Sequence, residues 1–481
     1  MVTITRRLAQ QFRAVLRRAS GQVRVGPAIG FIADREGLTV KSMSGDVAVE
    51  LRVPGARAAE TVWLPLSALD DFEGKKDDPV ELTASDRKQV TAQWRDGNVP
   101  QVVSYDSVKP PDADKFPVLP TDFTTNSPGL LQALHEASEV AAVEGARYAT
   151  GCLQLCPGGT IHATDGRQGL IQTGFTFPWS EPLLVPRNKV FHSPEFPQDK
   201  PVSVARSGEW LVLGVDPWTI LLRIDKDGRF PDLSRHVPDP ATATSRCRLS
   251  ADDVQFLADT LPRLPGQDEQ NFPVTLDLNG HVAVRARSAD QSKPTEVVLT
   301  NSACSGEPIR INTNRTYLKR AMRLGLQELC LFGKEAALLG QGDNRQLVWM
   351  PLEPGAAIEP ADDMIRIESP RSQASVSTSP PPKPKIERKP QPMSETTTGT
   401  NGKAASNGHA NTTTAGGKSN RRRNNQQDIA GLIEQAIKLR TALHDRTHEA
   451  AELVKALKQH RRASRAIQHA LTSISQVKSL I

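Results

Sequence analysis

The stretch Ser127-Pro128-Gly129-Leu130-Leu131-Gln132-Ala133-Leu134-His135-Glu136-Ala137-Ser138-Glu139-Val140-Ala141 has the form of a short amphipathic helix. Ser127 stands as its N-cap and Pro128 in the first helical position, with Leu131, Leu134 and Ala141 along one face. The same form occurs at 5–19, where Thr5 caps and Leu8, Phe12, Val15, Leu16 and Ala19 share a face. It occurs again at 250–261, where Ser250 with Asp253 three residues on precedes Val254, Leu257, Ala258 and Leu261. The chain therefore contains one unit of about 120 residues written three times. Repetition of that kind points to a ring or an array before it points to a catalytic domain.

Each unit also carries a second helix start, at Trp63-Leu64-Pro65-Leu66, Leu184-Val185-Pro186-Arg187 and Ile311-Asn312-Thr313-Asn314. Between the helices the text is strand-like: 47–53, 202–205, 210–213 and 282–286 are short, rich in Val and Leu, and punctuated by Gly, Asp and Asn. Two units close on Phe-Pro phrases, Phe116-Pro117-Val118-Leu119-Pro120 and Phe230-Pro231-Asp232-Leu233, and the third on Trp349-Met350-Pro351-Leu352. Helix, strands, second helix and more strands make an α+β class with antiparallel sheets. The expected boundaries are 1–121, 122–243 and 244–358 for the three units, then 359–427 and 428–481.

The 481 residues are 38% hydrophobic and 24% charged, and no apolar run approaches the roughly 20 residues that span a bilayer. Arginines at 6, 7, 13, 17 and 18 are followed by no apolar targeting segment, so a cytoplasmic protein without a membrane partner is expected. The five cysteines are scattered; Cys152 and Cys156 lack the second Cys/His pair a zinc site needs, and no metal or cofactor is expected. The net charge of +6 hides an asymmetry: residues 367–481 hold 19 Lys and Arg against 8 Asp and Glu, so the three units together are acidic. If that body handles nucleic acid, a local basic patch must do it.

The stretch 359–427 is expected to be a disordered linker: from Ser369 on, Pro, Ser, Thr and Gly dominate and few apolar residues remain to offset chain entropy. From 428 to 481 a strict 3/4 spacing finds eleven apolar residues at fifteen seam positions, with no proline, and no glycine after Gly431. A coiled coil with a self or helical partner is the expectation, with a lone amphipathic helix as the alternative.

The second unit holds the most specific text. Ala146-Arg147-Tyr148-Ala149-Thr150-Gly151-Cys152-Leu153 runs on to Ile161-His162-Ala163-Thr164-Asp165-Gly166-Arg167. This resembles the bacterial DNA polymerase III β subunit, the sliding-clamp family, with its Ala-Thr-Asp-Gly-His-Arg-Leu phrase. The segment 230–238, FPDLSRHVP, looks like that family's domain junction, and 311–324, INTNRTYLKRAMRL, is similar to its Asn-x-x-Tyr-Leu helix. Val348-Trp349-Met350-Pro351-Leu352 stands where clamps end in Met-Pro-Met. The resemblance covers about residues 1–355 in order, and 369–481 have no counterpart in it.

The resemblance implies three clamp domains per chain, a head-to-tail homodimer closing a ring, helices inside and sheets outside, and double-stranded DNA held without sequence readout. Basic residues on the inner helices would then meet phosphates: Arg6, Arg13 and Arg17; Arg187 and Lys189 on the fourth helix; Arg315, Lys319, Arg320 and Arg323. The plainer alternative for any one of them is a solvated helix face. The resemblance also implies a pocket for short apolar peptides of DNA polymerase III, the clamp loader and repair proteins. Its walls would be Ala149, Thr164, Gly166, Arg167, Gln168, Gly169, Pro231, Arg235, His236, Val348, Met350, Pro351 and Leu352. Here the family's His-Arg-Leu reads Arg167-Gln168-Gly169 and its strand Leu reads Ala149, a more polar wall.

No nucleophile elbow, Walker loop, dinucleotide fingerprint or His-Glu-x-x-His occurs, so a non-catalytic processivity factor is expected, not an enzyme. His162 and Asp165 read as turn residues, and Asp252-Asp253 as acids favouring a helix dipole. The other functional class is a clamp-fold paralogue that scaffolds protein partners through 428–481.

Overall fold

The computed structural model describes residues 1–371 except 22–27, 86–87, 109–115, 144–147, 267–270 and 290. The polar stretch from 372, the 428–481 seam and the motif residues Ala146 and Arg147 lie outside the described residues.

The chain runs through nearly the same element order three times, with one extra strand, β21, in the third. The first pass is β1 (Val2–Thr5), α1 (Arg6–Ser20), β2 (Ala28–Ala33), β3 (Gly37–Ser44), β4 (Val47–Pro54), β5 (Glu60–Pro65), α2 (Ala68–Phe72), β6 (Pro79–Ser85), β7 (Gln89–Asp96) and β8 (Val99–Asp106). The second is β9 (Thr124–Asn126), α3 (Gly129–Val140), β10 (Cys152–Cys156), β11 (Thr160–Thr164), β12 (Gln168–Gln172), β13 (Leu183–Pro186), a 3-10 turn (Lys189–His192), β14 (Val202–Ser207), β15 (Trp210–Val215) and β16 (Trp218–Arg223). The third is β17 (Ser245–Arg248), α4 (Ala251–Thr260), β18 (Pro273–Leu278), β19 (Val282–Ala286), β20 (Thr295–Leu299), β21 (Ala303–Gly306), β22 (Ile309–Asn314), α5 (Arg315–Arg323), β23 (Glu328–Leu331), β24 (Leu338–Gln341) and β25 (Arg345–Trp349). One more strand, β26 (Ile365–Glu368), follows.

Each pass makes two arrays of four strands, except that β21 adds a fifth strand to one array of the third pass, and arrays from successive passes fuse. The orders are β1-β6-β7-β8; β5-β2-β3-β4-β16-β15-β14-β9; β13-β10-β11-β12-β25-β24-β23-β17-β21; and β22-β18-β19-β20-β26. The two fusions are antiparallel pairings, β4 with β16 (Val49 opposite Ile220) and β12 with β25 (Gly169 opposite Val348). A continuous sheet satisfies backbone donors and acceptors that two separate edges would leave open.

The cores fuse as well. Phe12 of α1 stacks on Trp218 of β16 at 6.0 Å between centroids, and Phe196 meets the same ring. Arg18 donates to Glu195 at 2.7 Å and Asn188 to the Ala19 carbonyl at 2.8 Å. The Phe-Pro phrases are the crossings between passes. Phe116 and Leu119 pack on Ala48, Ala205, Val212 and Leu221, covering the outer face of the first fused sheet. Val237 does the same on Cys330, Leu339 and Val348 over the second.

Several local expectations change in the structure. The Thr5 and Ser250 hydroxyls cap as read, accepting from Leu8 N–H and Asp253 N–H at 3.1 Å each. Ser127 does not: α3 starts one residue later, Pro128 takes the cap position, and no side-chain cap bond forms. The fourth helix, expected to follow Leu184-Val185-Pro186-Arg187, is only the four-residue 3-10 turn, capped by Asn188. The disordered linker expected from 359 does not fit residues 365–369, where β26 pairs in parallel with β20 and Ser369 is buried.

Asp253 also does more than favour a helix dipole. It is fully buried and accepts from Asn301 N–H (2.9 Å), Asn301 Nδ2 (3.0 Å) and the Ser302 hydroxyl (2.6 Å). Burial alone would raise its carboxyl, but the hydrogen bonds from Ser302, Ser369 and Asn301 outweigh burial and hold it below its usual value of 3.8. A depressed carboxyl contributes stability that is present above pH 3.8 and lost as pH falls through the folded-state value. Asp253→Asn is therefore expected to destabilise the protein at neutral pH and to flatten the loss of stability below about pH 4, read by urea unfolding across pH.

Candidate nucleic-acid face and peptide cleft

The helices pack in a row on one side of the sheets: α2 on α1, α1 on the 3-10 turn, that turn on α3, and α5 on α4. Arg320 of α5 closes the remaining step by donating to the Glu139 carbonyl of α3 at 3.0 Å. Residues far apart in sequence thus share one helical face, and this is where the predicted cations must be judged.

Four of them are committed to the fold. Arg6 donates to the carbonyls of Phe72 (3.2 Å), Glu73 (3.1 Å) and Arg95 (3.0 Å) and pairs with Asp96 at 3.0 Å. Arg13 pairs with Asp70 and, at 2.9 Å, with Glu73. Arg315 is buried and bonds the Leu264 carbonyl at 2.7 Å and the Pro265 carbonyl. Arg320 bonds Gln168 Oε1 at 2.6 Å in addition to Glu139. Arg187 is half-buried and donates to the Ala141 carbonyl at 3.1 Å.

Arg17, Lys189 and Arg323 are exposed and Lys319 is half-exposed. Lys319 and Arg323 line a cleft of about 380 Å³ between α3 and α5, with His135, Glu136 and Glu139 opposite. Partial burial, then the neighbouring Arg323, hold the Lys319 ammonium below its usual value. His135 stacks on His192 at 4.3 Å, and burial lowers its value too. Neither histidine stood out in the sequence, because their approach joins α3 to the 3-10 turn 57 residues later.

The second site lies on the other fusion. A cleft of about 400 Å³ opens over the β12–β25 pairing, between the β11–β12 hairpin, the crossing segment and the end of β25. Thr164, Gly166, Arg167, Gln168, Gly169, Pro231, His236, Val348 and Met350 line it as expected. Tyr148, Thr150, Leu233, Ala337 and Trp349 line it as well. Ala149 does not; it packs beside Gly228, where an added Cβ would stand 2.8 Å away. Arg235 points to Asp232 at 3.0 Å on the exposed side of the crossing. Pro351 and Leu352 leave toward β22, where Leu352 N–H bonds the Asn312 carbonyl at 2.8 Å.

The hairpin rim is built by Asp165, which accepts from Arg167 N–H (2.9 Å), Gln168 N–H (3.0 Å) and Gln168 Nε2 (2.8 Å). Gly166 turns there at φ +90°. These bonds tie Asp165 to the turn, and Tyr317 of α5 hydrogen-bonds it as well. The floor is apolar: buried Leu233 and Trp349, with Met350 half-exposed at the edge. Gly169 lets Leu233 approach, since a Cβ there would meet Leu233 at 3.2 Å and Val348 at 3.3 Å. Leu233 could have been found as an apolar residue inside an otherwise polar crossing segment.

No family model matches the chain, and no curated protein matches it in sequence. The fold does match solved structures. A DnaN sliding clamp (DNA polymerase III subunit beta) from Pseudomonas aeruginosa bound to griselimycin superposes with a TM-score of 0.60 at 19% identity, covering 73% of this chain and 98% of that one. The DNA polymerase sliding clamp from Bacillus subtilis gives 0.60 at 15%, with the same coverages. DNA polymerase III, beta chain, from Streptococcus pneumoniae gives 0.60 at 14%, covering 73% and 99%. The chain has the sliding-clamp fold.

Arg320→Ala is expected to lower the unfolding free energy by about 1–3 kcal/mol, because it strips the bonds joining α5 to Gln168 and α3. Chemical denaturation measures this.

Proposed function

We propose that this protein is a sliding-clamp-like, non-catalytic processivity factor. Two copies join head to tail around duplex DNA and tether DNA polymerase III and its clamp loader in the cytoplasm, at the nucleoid. The observation that carries the reading is the row of helices on one side of fused sheets, in a fold shared with DNA polymerase III beta clamps. Of the predicted cations, Arg17, Lys189, Lys319 and Arg323 remain for phosphates, at non-specific spacing along that row. Arg6, Arg13, Arg315 and Arg320 support the row from behind.

The cleft over the β12–β25 fusion suits a short peptide with an apolar anchor: Leu233, Val348, Trp349 and Met350 offer the floor, Arg167 and His236 the rim. Its polar hairpin wall, Gln168 and Thr164, favours a peptide with a hydrogen-bonding group beside the anchor. A scaffold outside the replisome is the second reading, favoured by residues 372–481, which extend beyond the part shared with clamps.

With a clamp loader present, the protein is expected to stay on a circular nicked plasmid and to be lost when the plasmid is linearised. Loss at equal rates from both forms would end the clamp reading. Replacing Arg17, Lys189, Lys319 and Arg323 together by Ala should reduce the slope of log affinity against log salt by about 0.9 per phosphate contact removed. Gly169→Leu should fill the cleft and weaken binding of a polymerase-derived apolar peptide at least about tenfold, the scale of losing one buried anchor. Fluorescence anisotropy reads that loss, and an unchanged affinity would place the peptide elsewhere.

A further inference from the structure

Two junctions inside the chain are made by one rule. The last strand of one array pairs antiparallel with the fourth strand of another: β16 with β4, and β25 with β12. The series has a third pair of the same kind, β8 of the first pass and β20 of the third. β8 ends its sheet with a free edge. The edge of β20, however, is occupied by β26, and a strand edge can be paired only once.

β26 is held firmly there. Ile365 N–H bonds the Pro294 carbonyl at 3.0 Å and Ser369 N–H the Val298 carbonyl at 2.9 Å. Arg366 reaches Glu296 at 2.8 Å, whose other oxygen accepts from buried Arg285 at 2.8 Å. Thr300 N–H bonds the Ser369 hydroxyl at 2.8 Å, and Asn301 bonds the Pro370 carbonyl at 2.8 Å.

In a parallel pairing, alternate residues spend both backbone groups on one neighbour. Residues 365, 367 and 369 face β20, so Arg366 and Glu368 present their N–H and C=O groups outward. On β8 the phase is set by Ser107 N–H bonding the Lys88 carbonyl at 2.8 Å, which leaves Val102, Ser104 and Asp106 facing outward. Both edges carry uncovered apolar side chains, Ile365 (53% exposed) on one and Val102 (63%) on the other. Direction is also preserved. A strand that would run antiparallel to β20 runs antiparallel to β26, because those two are parallel.

We propose that β26 is the closing strand of the two-copy ring: its outer edge takes β8 of a second copy in antiparallel pairing, in place of the β20–β8 pairing that the internal junctions prefigure. Each closing junction is then one strand wider than the internal ones, by about 4.8 Å. This rests on the ring reading above and assigns the interface that closes it.

Hydrogen exchange on the full chain tests the pairing. The amides of Arg366, Glu368, Val102, Ser104 and Asp106 should be protected in concentrated protein and lose that protection on dilution. Exchange at free-edge rates at every concentration overturns the proposal. Glu368→Pro supplies the second arm: it removes an outward donor, and proline is tolerated on an edge whose N–H faces away from the sheet. It should melt like dilute wild-type protein, abolish the concentration-dependent protection of β8, and cut retention on circular DNA at least tenfold. If Glu368→Pro retains circular DNA like the wild type, the ring closes elsewhere and this inference fails while the clamp reading stands. If the protection appears but circular and linear DNA are released alike, the strand pairing stands and the clamp reading fails.

Discussion

Antiparallel pairing across the unit boundaries, β4 with β16 and β12 with β25, is the constraint on which the rest of the structure depends. A four-stranded array with an open edge exposes a row of unpaired donors and acceptors. Joining arrays edge to edge removes those rows and aligns the helices that each unit packs on the same side. Phe12 against Trp218 and Arg320 against Gln168 then lock a helix of one unit to a strand of its neighbour. The helical row is thus a product of the sheets.

The same pairing produces the cleft. Where two arrays meet, the crossing segment has to run over the fused sheet. At the first fusion Phe116 and Leu119 pack directly on the sheet, against Ala48, Ala205, Val212 and Leu221. At the second, the hairpin built by Asp165 stands up from the sheet, and Leu233 settles beside Gly169, with a cleft between them. An apolar floor with a polar rim follows from that geometry and makes the site suited to an anchored peptide.

Electrostatics on the helical face follow packing more than composition. The described units carry many arginines, yet most of those at the start of α1 and α5 satisfy carbonyls and carboxylates of neighbouring elements. A guanidinium bound to three carbonyls, as Arg6 is, costs much to redirect toward a phosphate. The cations left to solvent are few and spread along the row, which suits contact with a uniform polyanion more than readout of bases.

The threefold unit, the α+β class, the caps at Thr5 and Ser250 and the turn at Thr164-Asp165-Gly166 were legible in the sequence, because each depends on residues within a few positions of one another. Most of the cleft could also be placed, through motifs that keep their spacing. The sequence could not show that Arg6 and Arg315 are consumed by distant carbonyls, or that Ala149 turns from the cleft toward Gly228. Nor could it show that Ile365-Arg366-Ile367-Glu368, which reads as the start of a polar tail, adds to a sheet edge completed 66 residues earlier. Local chemistry and periodicity are written along the chain and determine its elements. Which donor meets which acceptor, and which edge stays open, was decided only when the tertiary structure brought remote backbone groups within hydrogen-bonding distance.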